Sequence, residues 1–117
     1  MKVTVVKNML MAQDMDRAVA FYRGVFAFEE KFASEYWSEL LWKDCVIALH
    51  GGHEGGEVRS SLSIEVDDIV AAVEAVTQHG GKIVMKPERR EGEPIILSEF
   101  KDAEGNIVML TQYVGEE

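Results

Sequence analysis

Apolar residues recur along this chain with two different periods, and the switching between them predicts its elements. From Val3 to Ala12 valines and methionines dominate, as in a strand, and the run meets Asp14, a residue suited to cap a helix. Met15, Ala18, Val19, Tyr22 and Phe26 follow at helical spacing, with Asp16, Arg17 and Arg23 off the stripe. A helix is therefore expected to begin at Asp14 and to turn that stripe into the core. Three short extended segments come next, at 28–34, 36–43 and 45–51, before the glycine-rich stretch Gly51–Gly56 breaks the pattern.

The same order then starts again. Ser60–Val66 reads as a strand, Asp67-Asp68 as a cap, and Ile69, Ala72, Val73 and Val76 as a helix stripe that Gly80-Gly81 terminates. Segments 82–86, 94–101 and 106–113 are further strands, the last two joined by the turn Asp102-Ala103-Glu104-Gly105. An offset of 54 lays Asp14-Met15 on Asp68-Ile69 and Ala18-Val19 on Ala72-Val73, the mark of an internal repeat. The expected fold is α+β: two tandem βαβββ modules, residues 1–58 and 59–117 of a single 1–117 domain, forming a cupped mixed eight-stranded sheet with two main helices. One helix covers only one face of a four-stranded sheet. The concave side is thus the expected small-molecule site, and a second chain, in a homodimer, the expected cover.

Composition narrows the partners. Of the 117 residues 47% are hydrophobic and 28% charged, and no apolar run is long enough to cross a membrane. Lys and Arg total 12 against 21 Asp and Glu, a formal charge of -9 that disfavours nucleic acid and anionic membranes and would suit a cationic ligand. The one cysteine, Cys45, excludes an intrachain disulfide, and its apolar surroundings predict a buried reduced thiol and a cytoplasmic location. Lys7 and Asn8 interrupt the N-terminal apolar stretch, so no signal peptide is expected.

Three stretches carry a resemblance: Asp14-Met15-Asp16-Arg17-Ala18-Val19-Ala20-Phe21-Tyr22, Glu65-Val66-Asp67-Asp68-Ile69, and Phe100-Lys101-Asp102-Ala103-Glu104-Gly105-Asn106. In their order and separation the chain resembles the vicinal oxygen chelate superfamily, which includes glyoxalase I, bleomycin-resistance proteins, fosfomycin-resistance enzymes and extradiol dioxygenases. The resemblance implies paired βαβββ modules around a site built on a divalent metal. It also implies where the metal donors would stand. Seven residues before Asp14 is Lys7, six before Asp67 is Ser61, and the positions on the fourth and eighth strands are Ala48 and Met109. None of the four is a usual ligand of a divalent metal. Sliding the alignment one residue gives Asn8, Leu49, Leu62 and Leu110, or Val6, Ile47, Ser60 and Val108, and neither set restores the centre.

No metal and no other cofactor is therefore expected, which removes the Lewis acid that the family's enzymes use. Strand parity places Lys7, Met9, Ala48, His50, Ser61, Ser63, Met109 and Thr111 on the face of the lost metal positions. The family pattern also directs Glu99 into the cup, where it would pair with Lys7, unless Lys7 snorkels outward. Trp37 and Trp42 differ in parity, so one indole is expected in the cup. His50, His53, Glu54 and Glu57 have metal-ligand spacing, but in a flexible glycine loop. The preferred function is binding of a small organic molecule, cationic or aromatic, without turnover and with no catalytic residue assigned. The alternatives are a lyase, isomerase or dioxygenase using a metal near His50 or Glu99 as general base, and a dimerisation module with a filled cup.

Overall fold

The computed structural model describes residues 1–115, which form β1 (Lys7–Met11), α1 (Met15–Phe26), β2 (Glu29–Phe32), β3 (Trp37–Trp42), β4 (Cys45–His50), β5 (Val58–Glu65), α2 (Ile69–Gln78), β6 (Lys82–Arg89), β7 (Ile95–Lys101) and β8 (Asn106–Tyr113). The two βαβββ modules are present, and their eight strands divide into two four-stranded mixed sheets, ordered β1-β4-β3-β2 and β5-β8-β7-β6. In each, the module's first strand runs parallel to its fourth and the other pairings are antiparallel. No described helix is long and apolar enough to cross a membrane.

Both helices start where their caps predict. The Asp14 carboxylate accepts from the Arg17 backbone N–H at 3.1 Å and the Asp68 carboxylate from that of Ala71 at 3.0 Å, each satisfying a donor the first helical turn leaves free. Each helix lies on the inner face of its own sheet, and the two also pack on each other. Leu10, Leu40, Ile47 and Leu49 of the first sheet and Phe100, Val108 and Leu110 of the second meet Ala18, Phe21, Tyr22, Ile69 and Val76 in one core. Phe21 and Tyr22 meet edge to face at 4.9 Å, and Phe21 reaches across the modules to Phe100 at 6.0 Å. Each such ring contributes roughly 1.5–3 kcal/mol by leaving water.

A polar clamp also joins the modules. Asp102, in the β7–β8 turn, receives four donors: the Tyr22 hydroxyl at 2.6 Å, the Asn106 amide at 2.9 Å, and the backbone N–H groups of Glu104 and Asn106, both at 2.9 Å. Asn106 also exchanges two bonds with the backbone of Met11, at 2.9 and 2.7 Å. Glu104 accepts from the backbone N–H groups of Gln13 and Asp14 and from Arg17 Nε at 2.7 Å, so a carboxylate of the second module caps the helix of the first. Burial raises the Asp102 carboxyl above its ordinary value, against the lowering effect of its donors, and burial followed by the Asp102 charge pushes the Tyr22 phenol well up.

Two expectations fail. Val3–Val6 do not belong to the first strand, because β1 pairs with β4 only from Lys7 opposite Val46 onward. One step further back the partner strand ends at Cys45 and turns at Lys43, whose φ is +51°, leaving Val3 and Val6 70% and 78% exposed. Cys45 is exposed rather than buried, since it closes the β3–β4 hairpin opposite Trp42 instead of lying inside the apolar run.

Candidate functional site

Pairing register fixes which side chains share the face turned away from the helices. In the first sheet, Met9, Ala48 and Glu39 form one row across β1, β4 and β3, with Met11, His50 and Trp37 in the next row on the same face. In the second sheet, Ser63, Met109 and Glu99 form the corresponding row, with Glu65, Thr111 and Leu97 beside it. Val46, Ala48 and Ile107 are buried yet lie outside the helix-side core, which marks two distinct faces. Both outer faces are open: Met9 is 48% and Met109 39% exposed.

Each module therefore sets a carboxylate on its third strand beside the family's fourth-strand metal position: Glu39 opposite Ala48 and Glu99 opposite Met109. Each carboxylate is met by a cation from the module's first strand. Lys7 Nζ lies 2.6 Å from Glu39 Oε2, and Arg59 Nη1 lies 2.8 Å from Glu99 Oε2. The expected Lys7–Glu99 pair does not form, because the acid directly across the first sheet takes the lysine. Lys7 does not snorkel away either; its ammonium turns in over the Trp37 ring, 5.5 Å from the centroid.

Glu39 is the more enclosed of the two carboxylates, at 2% exposure. It also accepts from Trp37 Nε1 at 2.8 Å and lies 3.6 Å from Lys31 Nζ. Lys31 shares the parity of Glu29, which stands opposite Leu41, and so lies on the Glu39 side of β2, next to the bulge where the β2–β3 register slips between Glu30 and Phe32. The hydrogen bonds from Lys7 and then Trp37 hold the Glu39 carboxyl below its ordinary value of 4.5, against the opposing effect of burial. A depressed acid stabilises the fold above its unfolded pKa and loses that contribution as pH falls through the folded value. Melting temperature measured against pH should therefore decline on the acid side below about 4.5, the ordinary carboxyl value, and Glu39→Gln should flatten that decline relative to the parent chain. An unchanged acid limb would mean the pair contributes nothing to folding.

The remaining expected residues divide. Trp37 shares the face with Ala48, whereas Trp42 pairs with Cys45, projects to the opposite face and is 52% exposed under the Lys43 ammonium. Trp42 therefore leaves the set. His50 stands edge-on to Trp37 with ring centroids 5.9 Å apart, its Nδ1 bonded to the Gly51 carbonyl at 2.8 Å. Ser61 and Ser63 are exposed on β5, Ser61 within the stretch where the β5–β8 register shifts, and Thr111 is buried. A cavity of about 390 Å³ opens elsewhere, at the start of α1 between Asp14, Met15, Asp16, Ala33, Ser34 and Glu35, and shares none of these residues.

The donor chemistry does not suit the family's metal. An ammonium, a methyl, a hydroxyl and a thioether occupy Lys7, Ala48, Ser61 and Met109. Among the described residues no three His, Cys, Asp or Glu side chains converge into a group able to hold an ion, and His50, His53, Glu54 and Glu57 do not form one. Glu99 spends its carboxylate on Arg59, which weakens its standing as a general base.

Sequence reasoning missed Glu39, Lys31 and Arg59. Glu39 was within reach, since a two-residue turn at Lys43-Asp44 sets residue 39 opposite residue 48. Lys31 and Arg59 share the strand parity that sets them on the faces of Glu39 and Glu99, but parity alone does not name which charge each will meet.

A family model described as Glyoxalase/Bleomycin resistance protein/Dioxygenase superfamily matches residues 4–110. Among solved structures, a superfamily member from Sphaerobacter thermophilus superposes with a TM-score of 0.76 at 19% identity, over 95% of this chain and 98% of its own. The fosfomycin resistance protein FosX from Listeria monocytogenes gives 0.77 at 15%, over 96% and 94%, and that from Mesorhizobium loti 0.72 at 21%, over 96% and 93%. These likenesses carry the fold. No curated protein matches the chain.

Proposed function

Because the chain belongs to the Glyoxalase/Bleomycin resistance protein/Dioxygenase superfamily, we propose that it is a binding protein that takes a small organic molecule on its concave sheet faces without the family's metal centre. The observation that carries this reading is the replacement at the first donor position: Lys7 brings its own positive charge there and is fixed by Glu39. A bound cation would have to displace that ammonium against direct charge repulsion. Lys7, Met9, Trp37, Glu39, Ala48 and His50 line the first face, and Ser63, Glu99 and Met109 the second, with Ser61 at its exposed edge.

The protein acts as a homodimer in this reading. One chain exposes 7386 Å², where a compact monomer of 13.1 kDa exposes about 6,400 Å². Its radius of gyration of 14.6 Å likewise exceeds the roughly 13 Å expected for its length. A second copy packed against this one would bury part of that excess surface while leaving the first-sheet face open to a ligand. The exposed free thiol of Cys45 suits a reducing compartment such as the cytoplasm.

Elemental analysis of the purified protein tests the reading together with melting curves. Substoichiometric Zn, Ni, Fe and Mn, a melting temperature unmoved by chelator, and a two-chain mass in sedimentation are the expected results. A stoichiometric metal whose removal lowers the melting temperature would return the protein to the catalytic members.

A further inference from the structure

We propose that the outer face of the first sheet is a receptor for a small organic monocarboxylate, held by the ammonium groups of Lys7 and Lys31 against an apolar floor; this rests on the binding reading above. The argument is local charge. The protein as a whole carries -9, yet around Glu39 two ammonium groups share one carboxylate, with Lys7 at 2.6 Å and Lys31 at 3.6 Å. One positive charge is left over. Glu29, another acid on this face, stands exposed opposite Leu41, and both lysines turn to Glu39 instead of to it. Lys7 has three donors and spends one on Glu39, and its side chain remains 34% exposed, so its free N–H groups face the open side.

The surroundings select the rest of the ligand. Met9 and Ala48 form an apolar floor beside the charges, and Trp37 and His50 supply an aromatic wall. A single residual charge calls for a monoanion, and the floor and wall call for an apolar body attached to it. Glu39 then acts as an internal counter-ion. It keeps the two ammonium groups together when the face is empty, and it competes with the incoming carboxylate for them.

Benzoate, benzamide and benzylammonium form a matched set of probes, and the Trp37 indole N–H, which donates to Glu39, is the reporter in nitrogen-15 spectra of the full chain. Trp42→Phe identifies the peak, since Trp42 lies on the other face. Benzoate should move the Trp37 signal saturably and at least about tenfold more tightly than either other probe. Lys7→Met should weaken benzoate by about tenfold and Lys31→Met by less, while Glu39→Gln, which keeps an oxygen for Trp37, should tighten it severalfold. If Lys7→Met does not fold, Lys31→Met and Glu39→Gln still decide the matter. Benzamide or benzylammonium binding as well as benzoate would overturn the anion assignment and leave the binding reading standing. Benzoate binding indifferent to all three variants would also overturn it. Failure of every probe to move Trp37 would remove both.

Discussion

Replacing Asp102 with alanine is expected to cost about 3–5 kcal/mol, since it leaves several buried donors without an acceptor at roughly 1–3 kcal/mol each. A domain of this size is stable by only about 5–15 kcal/mol, so the variant should lose a large share of its folding free energy. The cause is the number of donors orphaned at once. The Tyr22 hydroxyl, the Asn106 amide and the backbone N–H groups of Glu104 and Asn106 would all lose their acceptor, and Tyr22 is fully buried. Asp102→Asn keeps the shape and one acceptor oxygen but turns an NH2 toward groups that themselves donate, so about 1–2 kcal/mol is expected there. Urea unfolding measures both. The midpoint should fall in that order with the slope unchanged, since the surface exposed on unfolding is the same. Equal midpoints for the two variants would show that the carboxylate charge, rather than the lost acceptors, governs the clamp.

Gly105→Ala is the second large expected loss, about 3 kcal/mol or more from two independent sources. Its φ of +101° is a conformation that costs a side-chain-bearing residue of order 1–3 kcal/mol. Its added Cβ would also lie 2.2 Å from the carbonyl oxygen of Gly56, a backbone atom that cannot rotate away. Relief of that clash would pull on the Val58 N–H to Gly105 carbonyl bond of 2.9 Å, which starts β5. Gly92 provides the control, with φ +79° and no atom within 4 Å of the point a Cβ would occupy, so Gly92→Ala should cost about 1 kcal/mol from backbone conformation alone. Melting temperatures compare the pair. Similar losses at both positions would mean that the contact with Gly56 is loose.

The duplicated architecture was legible because its signals are local and repeated. Asp14 and Asp68 announce the helices, and their offset carries the second module onto the first. The limits of β1 were not legible, since Val3, Val5 and Val6 favour a strand by themselves and only the length of the distant β4 denies them a partner. Parity groups Lys7, Met9, Ala48 and His50 on one side of β1 and β4, the side on which the pairing register also sets them, whereas Glu99 came only from the family pattern. Parity says nothing of which opposite charge a lysine will meet, however, and the nearer Glu39 took the place given to Glu99. The turn at Asp102 was read only as a turn. Its two acidic residues reach back along the chain, Asp102 across 80 positions to Tyr22 within α1 and Glu104 across 90 to Asp14 at its start, a partnership that exists only after the modules pack.

The unpaired residues ahead of β1 bear on how the protein behaves when concentrated. Val3, Thr4, Val5 and Val6 run ahead of the edge strand β1 without joining it, and the segment has no proline to interrupt it. Identical segments of this kind can pair edge to edge through their backbone groups. Lys2 and Lys7 bracket it with like charges that oppose stacking of identical copies, so basic gatekeepers stand at both ends of the one stretch that most needs them.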